Sequence, residues 1–141
     1  MIATDGSENG AQAINAGMEI ARLNNGKAYA LHVIDTSAYP SGRGDPKWAR
    51  LIEEQSKTFG LEITAAVEEA AKAAEVDVEF VTLEGHPAEK ILDFAEKQAV
   101  DMIVVGSLGK SDVERFLLGS VSEKVVRNSK VPVLVVHGKR P

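Results

Sequence analysis

The sequence predicts an α/β fold, a parallel sheet covered by helices on both faces. Two observations carry it. Five apolar runs of strand length are separated by segments whose apolar residues recur at helical spacing, and strands alternating with helices in this way pair in parallel. A glycine- and serine-rich run then follows the unbroken apolar Met102-Ile103-Val104-Val105, at the strand end where such sheets bind ligands. At 141 residues the chain fits one domain, 1–141. A domain of that size buries about 70% of its unfolded surface.

Met1-Ile2-Ala3-Thr4 reads as the first strand, ending at the turn-and-cap cluster Asp5-Gly6-Ser7. It is short against the usual five or six residues, roughly. Either residues precede it or the strand is stunted. A helix follows to about Arg22, with Ile14, Gly17, Met18 and Ala21 on one face, and Asn24-Asn25-Gly26 stops it. Ala28 through Ile34 is the second strand, and a loop with Pro40, Gly42, Gly44 and Pro46 spans Asp35 to about Lys47. A long helix runs from near Trp48 to Ala74 on the apolar positions Ile52, Phe59, Ile63, Val67 and Ala70, weakened in the middle by Gly60. Val78 to Leu83 alternates as a strand. His86-Pro87 opens a helix with Ile91, Leu92 and Ala95 inward, Pro87 suiting the first turn. After the fourth strand, Met102–Val105, the glycine run leads into a last helix bearing Val121, Val125 and Val126, and Val131 to Val136 closes the sheet.

The run itself is Gly106-Ser107-Leu108-Gly109, nine residues, then Gly119-Ser120-Val121-Ser122. A glycine at a strand's end leaves room for a phosphate to approach the backbone. A Gly-Ser pair opening a helix adds free N–H donors, a hydroxyl and the positive end of the helix dipole. The set reads as the phosphate side of a nucleotide site. The alternative, that these glycines only turn the chain, explains any two of them equally well but loses ground to the ordered set of Gly106, Gly109, Gly119 and Ser120. Gly109-Lys110-Ser111 imitates the end of a Walker A loop, but the glycine needed five residues earlier is Val104, inside a strand. No G-x-G-x-x-G dinucleotide fingerprint is present, because no glycine follows Gly106 by two.

Composition narrows the classes further. The net charge of -5 and the absence of a basic run disfavour nucleic acid as a partner. No apolar stretch approaches the roughly 20 residues of a membrane helix, so no membrane partner is expected. The first residues carry Asp5, Ser7, Glu8 and Asn9 rather than a basic-then-apolar leader, and a cytoplasmic location is the expectation. The absence of cysteine excludes thiolate chemistry and fits a reducing compartment. Three scattered histidines offer no transition-metal spacing. His32, within a strand, reads as a packed histidine rather than a ligand, and His86 as structural.

With these residues in place, the chain resembles the universal stress protein family over essentially its whole length, and specifically the ATP-binding branch. The markers are Ala3-Thr4-Asp5-Gly6-Ser7, Leu31-His32-Val33-Ile34-Asp35, the glycine run and the closing Pro132-Val133-Leu134-Val135-Val136. The family's nucleotide signature is G-x2-G-x9-G-[ST], which Gly106, Gly109, Gly119 and Ser120 meet in full spacing. The resemblance implies a single-domain, flavodoxin-like three-layer sandwich with strand order 3-2-1-4-5. It implies Asp5 near ribose and triphosphate, Ala3 and Thr4 on the pocket wall, and Val33 at adenine through its backbone. Gly106, Gly109, Gly119, Ser120, Val121 and Ser122 would hold ribose and phosphates. Leu108 departs from relatives that carry histidine or arginine there, and Lys110 and Arg115 are candidate phosphate cations or merely solvated.

The local alternatives stand beside these roles. Asp5 also suits a helix N-cap or turn acceptor, and Ser120 with Glu123 suits a capping box. Mg²⁺ would arrive with ATP, held mainly by phosphate oxygens and water. No catalytic constellation is evident, so a nucleotide-dependent stress-response regulator with slow turnover at most is the leading function. A genuine ATPase or nucleotidyl-transferring enzyme on the same site, and a nucleotide-independent dimeric interaction protein, are the alternatives. A homodimer through the edge strand 132–136 is expected in each case.

Overall fold

The computed structural model describes residues 1–36, 45–107 and 118–138. Five strands and four helices alternate: β1 (Ile2–Ala3), α1 (Glu8–Leu23), β2 (Ala28–Asp35), α2 (Pro46–Ala74), β3 (Val78–Gly85), α3 (Pro87–Lys97), β4 (Ile103–Gly106), α4 (Ser120–Asn128) and β5 (Val133–Val136). The strands form one sheet in the order β3-β2-β1-β4-β5, parallel at every step. The α/β sandwich of order 3-2-1-4-5 is therefore the architecture of this chain. The strand order reverses between β1 and β4, which places a crevice at their carboxyl ends.

The core lies in two layers because successive strand residues point to opposite faces. Ala28 and Ala30 of β2 join Ile2 and Val104 under α1 and α2, against Ala13, Ile14, Met18, Ile63, Val67 and Ala71. Leu31 of β2 joins Ile103 and Val105 under α3 and α4, against Ala88, Ile91, Ala95 and Val125. Gly17 lets α1 lie close on β1, since a Cβ there would stand 2.4 Å from Ile2 Cγ1.

Several boundaries differ from the sequence reading for identifiable reasons. β1 stops at Ala3 because, although the Thr4 amide still donates to the Leu31 carbonyl at 2.9 Å, the Thr4 carbonyl goes to the His32 ring. Ser7, not Asp5, is the N-cap of α1; its hydroxyl accepts from the Gly10 amide at 3.1 Å. The expected stop after α1 is formed by Asn25, at φ 51°, with the Gly26 amide reaching back to the Ala21 carbonyl. α2 begins at Pro46, two residues before Trp48, because Asp45 caps it by accepting from the Lys47 amide, and it passes through Gly60 without a break. β5 begins at Val133, after Pro132. No helix among the described residues is long and apolar enough to cross a membrane.

Candidate functional site

The expected site residues that the structure describes fall on three strand ends and one helix start, all at the carboxyl edge of the sheet. At the end of β1, Thr4 is buried and its hydroxyl accepts from the Gly6 amide at 3.4 Å. The Asp5 carboxylate accepts from the Ser7 amide at 2.9 Å, so Asp5 is the turn acceptor and Ser7 the cap. Gly6 sits at φ 80°, a conformation that favours glycine and lets the chain turn within two residues of the strand. The first turn of α1 lies close on this turn: a Cβ at Gly10 would stand 2.8 Å from Thr4 Oγ1 and 3.2 Å from Asp5 Oδ1. Ala3 pairs with Leu31 and packs into the α3–α4 layer of the core.

Val33 packs its side chain into that same layer, so its backbone is what it offers at the sheet edge. The Leu31 carbonyl points toward β1, accepting from Thr4, and two residues on the backbone groups of Val33 point the same way. There the β1–β2 ladder has already ended, at Ala3 and Leu31. The paired register thus stops short of the Val33 peptide groups.

At the end of β4, backbone and side chain fasten the exit to the start of α4. The Gly119 amide donates to the Ser107 carbonyl at 2.7 Å, and the buried Ser122 hydroxyl donates to the Gly106 carbonyl at 2.5 Å. The Ser107 amide in turn donates to the Val136 carbonyl of β5 at 2.9 Å. The ends of the glycine segment are thus drawn together. Gly109, Leu108, Lys110 and Arg115 lie outside the described residues.

One expectation needs correction here. Ser120 is the first residue of α4, not its cap; Gly119 is the N-cap and provides no side-chain bond. Glu123 reaches along the helix to Arg127 at 2.9 Å, so there is no capping box. Among the described residues, the first-turn amides of α4 accordingly lack the side-chain acceptor that Ser7 supplies in α1, and Ser120 is exposed beside them. Gly106 also meets α1: the backbone carbon and oxygen of Asn9 would stand 3.0 Å from a Cβ there, so the first turn of α1 packs closely over the glycine.

Asn9, Ser107 and His32 are the neighbours that sequence reasoning did not place at the site. Asn9 touches both Gly106 and the space beside Gly138, where a Cβ would meet its Oδ1 at 2.6 Å. Nothing local in the sequence marks it, because its role comes from where α1 crosses β4. Among the described residues no three His, Asp or Glu side chains stand together as a metal site. A cavity of about 210 Å³ between the C-terminal ends of α3 and α4, floored by Leu92, Val100, Ile103 and Val131, opens at the opposite edge of the sheet from these residues.

A parallel 3-2-1-4-5 sheet with helices on both faces and helix starts at its carboxyl edge defines a flavodoxin-like α/β domain. The profile of the universal stress protein family matches residues 1–137, and the chain belongs to that family. It is 40% identical over 141 residues to universal stress protein MJ0531 of Methanocaldococcus jannaschii, covering all of this chain and 81% of that one. Its fold is similar to that of universal stress protein UspA from Lactobacillus plantarum, with a TM-score of 0.87 at 25% identity, covering 96% of this chain and 95% of the other. A universal stress protein solved in complex with cAMP superimposes with a TM-score of 0.66 at 28% identity, covering 96% and 93% of the two chains.

Proposed function

We propose that this protein binds ATP at the carboxyl edge of β1, β2 and β4 and acts as a nucleotide-dependent regulator in the stress response. The observation that carries the reading is the start of α4. Its first-turn amides lack a side-chain cap among the described residues, and it is fastened beside the β4 exit by Gly119 and Ser122. Such a terminus stabilises negative charge through its N–H groups and dipole. The relative that carries cAMP supports an adenine nucleotide as the ligand class.

In this reading Gly119, Ser120 and Val121 hold phosphate through backbone amides and the exposed Ser120 hydroxyl, while Ser122 secures the turn. Gly109 and the rest of the signature complete the phosphate side. Val33 meets adenine through peptide groups beyond the end of the β1–β2 register, and Ala3, Thr4 and Asp5 border the ribose. Mg²⁺ fits the donor set only as a companion of the phosphates, since Asp5 is the one carboxylate on the β1 turn and most ligands would be phosphate oxygens and water. The ion would neutralise phosphate charge there.

The same reading includes a homodimer. Val133–Val136 is a half-buried apolar strand at the edge of the sheet, and pairing with a second copy across a two-fold axis would cover both edges.

Calorimetry of nucleotide-free protein with ATP and Mg²⁺ tests the site, against a Gly109→Val, Gly119→Val variant checked for native circular dichroism. Micromolar binding that the folded variant loses is the expected result. A nucleotide-free wild type that takes up no ATP overturns the proposal.

A further inference from the structure

We propose that His32 is a positioning residue for the site: its Nδ1–H holds the Thr4 carbonyl and so sets the path by which the chain leaves β1 for the Asp5 turn. The assignment of a consequence for ligand binding rests on the nucleotide reading above.

His32 is 6% exposed, on the α1–α2 face of β2. The register Ile2↔Ala30 and Ala3↔Leu31 brings Thr4 next to it, and the ring Nδ1 lies 3.1 Å from the Thr4 carbonyl oxygen. A carbonyl only accepts, so the proton of that bond sits on Nδ1. Nε2 is buried with no hydrogen-bond partner among the described residues. Burying an unpaired polar atom is unfavourable. An aliphatic side chain would fill the same layer without it, as Ala30 and Ile34 do on either side. What a histidine adds here is the Nδ1 donor.

The donor has a structural consequence. Both peptide groups of Thr4 are held by β2, the amide by the Leu31 carbonyl and the carbonyl by the imidazole. The carbonyl is thereby engaged by a side chain where the ladder would otherwise continue toward Val33. β1 ends, Asp5 takes the turn that closes on Ser7, and the β1–β2 pairing stops short of Val33. His32 thus links the two strand ends that border the proposed adenine and ribose positions without touching the ligand itself.

The test uses His32→Asn, which keeps an N–H donor at the Nδ1 position and discards Nε2, and His32→Leu, which discards both. In ATP titrations His32→Asn should stay within about threefold of wild type and His32→Leu should weaken binding about tenfold, the size of one lost positioning bond. Nucleotide-free protein gives an independent readout. Hydrogen exchange at the Gly6 and Ser7 amides, which close the turn on Thr4 and Asp5, should quicken in His32→Leu and recover in His32→Asn, with Val104 unchanged. Long-range proton–nitrogen spectra of wild type should show the proton on Nδ1. An Nδ1 without a proton overturns the proposal, as does equal loss in both variants or exchange and affinity unmoved by His32→Leu. If His32→Leu does not fold, the tautomer and His32→Asn decide. If wild type takes up no nucleotide, the nucleotide reading fails, while tautomer and exchange still decide the role of His32.

Discussion

Replacing Gly106 by alanine separates two reasons for a glycine at the end of β4. If the bare Cα exists for a phosphate, the nucleotide-free protein should tolerate a methyl group. If it exists for packing, the methyl group disturbs the fold before any ligand arrives. The added Cβ would stand 3.0 Å from the carbonyl carbon, the carbonyl oxygen and the Cβ of Asn9. Two of those atoms are backbone in the first turn of α1, so no rotamer change removes the clash. The helix start must move by a few tenths of an ångström against a buried core. Over-packing of this kind costs about 1–3 kcal/mol. For a domain of this size that corresponds to a melting temperature lower by about 3–9 °C. The assay is thermal and urea unfolding of the nucleotide-free protein, with an unchanged m value certifying that only stability moved. Gly60→Ala is the control. A methyl group there would meet no described atom within 4 Å, and in mid-helix alanine should gain about 0.5–1 kcal/mol. Nucleotide-free Gly106→Ala that melts with wild type refutes the packing argument.

Three further outcomes test other parts of the structure. Gly17→Ala should lower stability by about 1 kcal/mol, although alanine is the better helix former. Its Cβ would meet Ile2 Cγ1 and Cδ1 at 2.4 and 2.6 Å, and over-packing outweighs propensity; denaturant unfolding showing a gain would contradict it. Ser122→Ala removes the donor to the Gly106 carbonyl and should cost about 1–2 kcal/mol by the same measurement, with ATP affinity reduced several-fold by calorimetry. An unchanged midpoint and affinity would show that the hydroxyl fastens nothing. Val135→Lys puts a charge on the half-buried edge strand and should leave a monomer by light scattering where wild type is a dimer. Wild type that is already monomeric at micromolar concentration would remove the proposed dimer.

The alternation of helix and strand was legible in the sequence because each element carries its own periodicity. β2 shows it most clearly, with Ala28 and Ala30 turned to one layer of the core and Leu31 to the other. The stop at Asn25-Gly26 and the proline start of α3 were equally readable, because φ preferences and missing amides act within a few residues. Family membership was legible for the same reason: its motifs are runs and fixed spacings within the sequence. The tertiary structure alone decided which of several plausible local roles each residue takes. Ser7 became the cap and Asp5 the turn acceptor, while Ser120 and Glu123 did not form their box. Gly106 turned out to face the backbone of Asn9, ninety-seven positions away in the chain, and His32 to hold the carbonyl of Thr4. Such choices depend on which elements cross and how closely. A one-dimensional pattern encodes the direction in which a side chain points, but the neighbour it meets is set only when the sheet order brings distant strands and helix starts to one edge.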